Sequence, residues 1–265
     1  MFVKLLTDPS LLFYSILRPL GLFLLLPILS SKNLGSALIR NAMILIFSIP
    51  IIPLFLDDSI LSQINNTGSW SFVIQEIMIG AIIGFTVALP FWGLDSAGFI
   101  IDTLRGASIG TLINPSLGDA GTIMGILFVQ LFTVLFFIIG GLNYVLDGLY
   151  ISYQIIPPGT EITFGTHWLT LMIKQWDIMI ALCLGFVLPA VVIMILTDLG
   201  IGLMNRSAPQ LNVFFIAMPI KSVLALLILI ISIPFLFYSY YDWANNLVDT
   251  LLALYQEMIY QDIIY

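Results

Sequence analysis

The chain has 265 residues, of which 60% are hydrophobic and only 9% are charged. Ordinary globular domains carry roughly 25% charged residues. With a mean hydropathy of +1.10, a soluble globular fold is excluded and an all-α, polytopic membrane-type protein is expected. The net charge of −7 is spread thinly, without an acidic or basic run, so no nucleic acid is expected as a partner.

Met1–Ser31 does not fit a secretory signal. Asp8 and Pro9 precede the apolar run, Arg18 interrupts it, and no small-x-small cleavage site follows. It is read as a retained first helix. Six apolar runs are then seen: Leu11–Leu29, Ala37–Leu56, Phe72–Leu94, Thr122–Leu142, Ile178–Leu196 and Leu211–Tyr241. At about 20 residues each can cross a hydrocarbon core as a helix. Strands of a barrel would be about half that length with strict alternation, which these runs lack. Pro19, Pro27, Pro50, Pro53, Pro90, Pro189, Pro219 and Pro234 are expected to kink or break several runs. That is more interruption than plain spans need, and apolar helices can equally be buried against other apolar subunits.

The connections differ in character. Ser30–Ser36 is a tight turn with Lys32, and Arg40 follows it. Asp57–Ser71 is polar and acidic at its start. Asp95–Gly121 is long and Gly-rich. Tyr150–Asp177 holds Pro157, Pro158, Gly159, Glu161 and Lys174. Asn205–Gln210 is a polar joint in which Pro209 favours a turn. The tail after Tyr241 is acidic. Lys32, Arg40, Arg105 and Arg206 fall in alternate connections, which places those inside and both termini outside; Lys4 runs against that assignment.

Four features could carry function. In Asp95–Arg105, read as helix, Asp95 and Asp102 share a face with Gly98, and Asp102 and Arg105 are spaced to pair. These are either solvated charges at a membrane surface or an internal stripe that fixes subunit packing. Gly106–Gly125, with Gly106, Gly110, Gly118, Gly121 and Pro115, resists one regular helix. It is either a plain connection or a gate, since long unstructured loops are often lids. Gly80, Gly84 and Ala88 let helix backbones approach closely, and packing within the chain is the simpler reading. Glu76, one turn earlier on that face, needs a partner if buried; a neighbouring subunit could supply it. Lys221, in an aliphatic run, either snorkels near the Pro209 turn or pairs with Asp198 or with another protein.

Chemistry is otherwise sparse. Cys183 and His167 each stand alone, so neither a disulfide nor a metal site is expected. No nucleophile with its base, Walker loop or dinucleotide fingerprint is present, and the sequons at Asn65 and Asn205 are chance-level matches. No enzyme activity and no cofactor are expected.

Several segments together resemble one family. They are Arg18 with Pro19, Arg40 with Asn41, FWGLDSAGFIIDTLRGASIGT from Phe91 to Thr111, YQIIPPG from Tyr153 to Gly159, and NRSAPQLNVFF from Asn205 to Phe215. They are similar to the export-gate proteins of type III secretion, called SctT in injectisomes and FliR in flagella, with the injectisome branch the better match. The resemblance covers Arg18 to Leu252. It implies a single copy wound into a cone-like helical assembly with several SctR/FliP-type and SctS/FliQ-type subunits, beside SctU/FlhB-type and SctV/FlhA-type proteins. Residues 1–177 would correspond to the first partner type and 178–265 to the second. The assembly would sit in lipid at the bacterial inner membrane and project to the periplasmic side. It would pass unfolded, secreted polypeptides. The loop 106–121 would plug the closed channel, making Gly106, Gly110, Asn114, Pro115, Gly118 and Gly121 gate candidates. Glu76, Asp95, Asp102, Arg105, Asp198, Arg206 and Lys221 would be assembly charges.

A second function class competes with this one. A stand-alone secondary transporter would place Asp95, Asp102, Asp147 or Asp198 in a substrate path. The absence of an evident repeat between the halves speaks against it.

Overall fold

The computed structural model describes residues 9–29, 35–56, 69–107, 122–160, 162, 168–207 and 213–259. Its regular elements are helical throughout. They are α1 (Pro9–Leu25), α2 (Ala37–Ser48), α3 (Ser69–Leu104), α4 (Ile123–Ile138), α5 (Gly141–Ile155), α6 (Trp168–Ser207), α7 (Val213–Asn245) and α8 (Leu247–Ile259), with 3-10 turns at Pro27–Leu29 and Ile49–Leu56.

The expected class holds, but the six spans do not map one to one. Among the described residues four helical segments are long and apolar enough to cross a membrane, namely Ala37–Phe55, in which α2 runs on into the 3-10 turn, and most of α3, α6 and α7, or five if α4 and α5 count as one broken span. The first run is too short, with α1 only 17 residues long. The fourth is interrupted at Gly140, whose φ of 82° lies in the left-handed region that glycine adopts readily. Asp95–Leu104, read as part of a connection, continues α3.

The prolines fall into two groups. Pro27, Pro50 and Pro53 do lie in 3-10 turns. Pro19, Pro90, Pro189, Pro219 and Pro234 instead lie inside continuous helices. Each removes one backbone donor, yet a broken helix in apolar surroundings would leave more polar groups unpaired.

The chain divides into two compact units interleaved along the sequence. One comprises Met1–Leu89, Phe137–Gln175 and Ala244–Tyr265; the other comprises Pro90–Phe136 and Trp176–Trp243. In the first, α1 packs on the opening half of α3 at near-backbone contact. A Cβ on Gly84 would lie 2.6 Å from the Leu22 carbonyl oxygen, and one on Gly80 or Gly21 would overlap the backbone of Arg18 or Ile77. The small-residue spacing therefore serves packing within the chain. Around that crossing Ile51, Phe55, Phe72, Ile79 and Ile83 are buried, with the Tyr14 ring edge-on to Phe72 at 5.4 Å.

In the same unit the C-terminal helix α8 packs on α5. Leu251 covers Gly148, where a Cβ would collide with it, and the Tyr255 hydroxyl donates to the Gly148 carbonyl at 2.9 Å. Burial pushes the Tyr255 phenol above its ordinary range, so it remains a neutral donor.

The second unit is centred on aromatic side chains. Phe91 lies 4.5 Å from Phe132, Phe132 lies 4.2 Å from Tyr240, and Phe128 meets Phe186 edge-on at 5.0 Å. The Tyr240 hydroxyl donates to the Pro90 carbonyl at 3.2 Å. Cys183 is buried here as a free thiol.

Candidate functional site

The end of α3 and the start of α4 bracket residues 108–121. Helix α3 closes in a Schellman motif. Gly106 takes φ 83°, its N–H donates to Thr103 O at 3.1 Å, and the Ala107 N–H donates to Asp102 O at 3.0 Å. Gly106, expected among the gate residues, is thus the helix-terminating glycine. Gly110, Asn114, Pro115, Gly118 and Gly121 lie outside the described residues.

Asp102 holds both ends of the bracket. Its backbone carbonyl takes part in the cap of α3, and its carboxylate Oδ2 accepts from the Met124 N–H at 2.9 Å. That N–H is one of the donors left open at the start of α4. Thr122 Oγ1 accepts another, from Gly125 at 3.2 Å. A Cβ on Gly98 would overlap the Gly125 backbone, so the two helices touch main chain to main chain at this point.

The charges assemble at the same place. Arg105 Nη2 lies 2.7 Å from Asp102 Oδ1, the pair that three-residue spacing predicts. The approach misses the hydrogen-bonding direction, so the contact is Coulombic. Lys221 Nζ on α7 donates to the Leu104 carbonyl at 3.2 Å and lies 2.5 Å from Asp198 Oδ1 on α6. Of the two readings of Lys221, pairing with Asp198 is the one realised. A cation at the last open carbonyls of a helix is favoured by its dipole.

The other expected charges divide. Asp95 is exposed, although it shares a face with the buried Asp102. Arg206 is exposed in the last turn of α6, and among the described residues no ion pair holds it. Glu76 is fully buried, and its partner comes from this chain. Arg18 Nε and Nη2 donate to its two carboxylate oxygens at 2.5 and 3.0 Å.

This pair belongs to a cluster that the sequence did not disclose. Arg18 is itself fully buried. Its Nη1 donates to Ser152 Oγ at 3.1 Å and its Nη2 to the Ile156 carbonyl at 2.6 Å. Its guanidinium carbon stacks 4.0 Å from the centre of the Tyr153 ring. One side chain thus joins α1, α3 and the end of α5. The planar, always-charged fork of arginine suits this, because it satisfies a carboxylate, a hydroxyl and a carbonyl at once. The available signal was two lone charges of opposite sign, Arg18 and Glu76, each inside an apolar run.

Among the described residues the arrangement offers fastened helix ends and a buried strut. The comparisons with known proteins agree with a structural part. Residues 10–247 match the family described as Bacterial export proteins, family 1. The chain belongs to this family. It is 46% identical to the secretion system apparatus protein SsaT of Salmonella typhimurium over 225 residues, covering 84% of this chain and 87% of the relative. It is 33% identical to Yop proteins translocation protein T of Yersinia pestis, covering 83% and 85%. The flagellar biosynthetic protein FliR of Escherichia coli is more distant, at 28% over 92% and 94%. The chain is therefore a type III secretion export-apparatus component of the SctT/FliR family, on its injectisome branch.

Proposed function

We propose that this SctT-type chain forms part of the wall of the channel through which unfolded polypeptides cross the bacterial inner membrane. The observation that carries the reading is the family match across nearly the whole chain, with relatives named for secretion, translocation and flagellar biosynthesis. What those relatives have in common is an export apparatus.

Two features of the molecule support it. Helices α3 and α6 run 36 and 40 residues, about 54 and 60 Å at 1.5 Å per residue. A hydrocarbon core is about 30 Å thick, so such helices suit an assembly that projects beyond the membrane, on the periplasmic side. The faces of α6 and α7 also carry large exposed apolar side chains along their length, including Leu188, Val192, Leu199, Phe215, Val223 and Ile230. Such surfaces call for lipid or neighbouring subunits.

On this reading the partners are SctR-type and SctS-type subunits, with SctU-type and SctV-type proteins alongside. Residues 1–177 stand in for the first type and 178–265 for the second. The role is gating, not catalysis, and residues 106–121 close the channel at rest. Deleting residues 110–118 is expected to let vesicles carrying the assembled complex leak ions, while assembly is retained. An assembled complex as tight as the parent would remove the plug from the account.

A further inference from the structure

We infer that the acyl chains of a bilayer cover the α6–α7 hairpin along two matched lengths, residues 178–197 and 222–241, and that the apolar ends 199–207 and 213–220 stand beyond the hydrocarbon core. Length and hydropathy alone draw no such border, since both helices qualify as spans over nearly their whole extent. The inference goes beyond the export reading and does not depend on it.

Three observations converge. First, the charges mark off equal lengths. On α6, Asp177 and Asp198 bound 20 uncharged residues; on α7, Lys221 and Asp242 bound another 20. Each length rises about 30 Å at 1.5 Å per residue, which is the thickness of a hydrocarbon core. Secondly, the two lengths lie level. Lys221 Nζ is 2.5 Å from Asp198 Oδ1, which pins one pair of borders together. A Cβ on Gly185 would meet the Phe235 ring at 3.4 Å, thirteen residues back from Asp198 and fourteen on from Lys221, so the helices keep that register. Asp177 lies 21 residues before Asp198 and Asp242 lies 21 after Lys221, which brings the other pair of borders level too. Exposed Trp176, Tyr238 and Tyr241 gather at this second border, where rings with a polar edge suit the headgroup zone. At the first, the long Lys221 stem carries its ammonium to Asp198 and the Leu104 carbonyl. Thirdly, the surface between the borders suits hydrocarbon. Its exposed side chains include Leu184, Leu188 and Val192 on α6 and Val223, Leu227 and Ile231 on α7, all aliphatic. The Thr197 and Ser232 hydroxyls donate back to the Ile193 and Ile228 carbonyls at 2.7 and 3.0 Å, so neither needs water. A covering subunit would not require borders spaced to the thickness of a bilayer; lipid does.

The experiment uses the full chain inserted in vesicles of phosphatidylethanolamine and phosphatidylglycerol. With Cys183→Ala removing the native thiol, a nitroxide spin label is attached to Leu188→Cys, Ile231→Cys, Leu203→Cys or Phe215→Cys, all at exposed positions. Leu188 and Ile231 lie at the middle of the two lengths. Their labels are expected to collide most with dissolved oxygen and least with a water-soluble nickel chelate, and to report the same depth. Labels at positions 203 and 215 are expected to meet the chelate roughly fivefold more often, because they lie outside the hydrocarbon core. Labels at 203 and 215 as deep as those at 188 and 231 would overturn the borders. Labels at 188 and 231 sheltered from both reagents would show protein, such as a second copy, in place of lipid, and would overturn the inference.

A pair of charge insertions checks the same borders without a label. Leu188→Lys is expected to cut the amount of chain inserted in the membrane by roughly tenfold or more, because an ammonium at the centre of the hydrocarbon is costly. Leu203→Lys, beyond the border, is expected to insert as the parent does. Equal insertion of the two variants would contradict the placement.

Discussion

Replacing Arg18 with alanine is expected to lower the stability of the assembled protein by about 3–5 kcal/mol, because it leaves Glu76 buried without its counter-charge. Glu76 and Arg18 are both fully buried, so solvent cannot take the place of the missing partner. The same change strips a donor from the Ile156 carbonyl, and a buried group left unsatisfied adds its own penalty; Ser152 Oγ loses the Arg18 donor but keeps its bond to the Leu149 carbonyl. A shift of this size is a large share of the 5–15 kcal/mol typical of a folded domain. It should appear as a fall of roughly 10 °C in the melting midpoint of the detergent-solubilised complex. The double change Arg18→Met with Glu76→Met removes both charges and is expected to recover most of the loss. A single Arg18→Ala protein that melts with the parent would show that the cluster does not hold α1, α3 and α5 together.

Gly80→Ala is expected to be nearly as damaging, for a steric reason. The added Cβ would overlap the carbonyl oxygen and backbone of Arg18. Backbone cannot step aside as a long side chain can, so α1 and α3 must separate. Overpacking a tight contact costs typically 1–3 kcal/mol, and here the separation also draws the Arg18 fork away from Glu76. The two changes share one contact, so Gly80→Ala and Arg18→Ala should not add when combined. Full additivity in melting midpoints would mean that the close approach and the ion pair are independent.

These cases show how much was legible in the sequence. Local relations were. The Asp102–Arg105 contact follows from spacing on one helix, and the Gly80–Gly84 spacing announced a close helix approach. Glu76 was recognisable as a residue in need of a partner. Its partner was not, because Arg18 lies 58 positions away and the pairing depends on how α1 registers against α3. Gly106 followed a leucine and an arginine at a helix end, which is a C-cap pattern, yet among neighbouring glycines it read as loop. Which prolines end a helix was not legible: Pro27, Pro50 and Pro53 lie in 3-10 turns, whereas the helix runs on through Pro19, Pro90, Pro189, Pro219 and Pro234, as apolar surroundings favour. Interleaving of the two compact units is invisible to any reading that proceeds run by run.

The family and the role rest on the match over residues 10–247, and one measurement tests the role most directly. It is the secreted-protein profile of a strain lacking this chain, with and without a complementing copy. A whole set of exported proteins should vanish together and return on complementation. Unchanged secretion, with altered uptake or efflux of one small solute, would contradict the export role. Asp95, Asp102 and Asp198 would then have to be reread as a transport path.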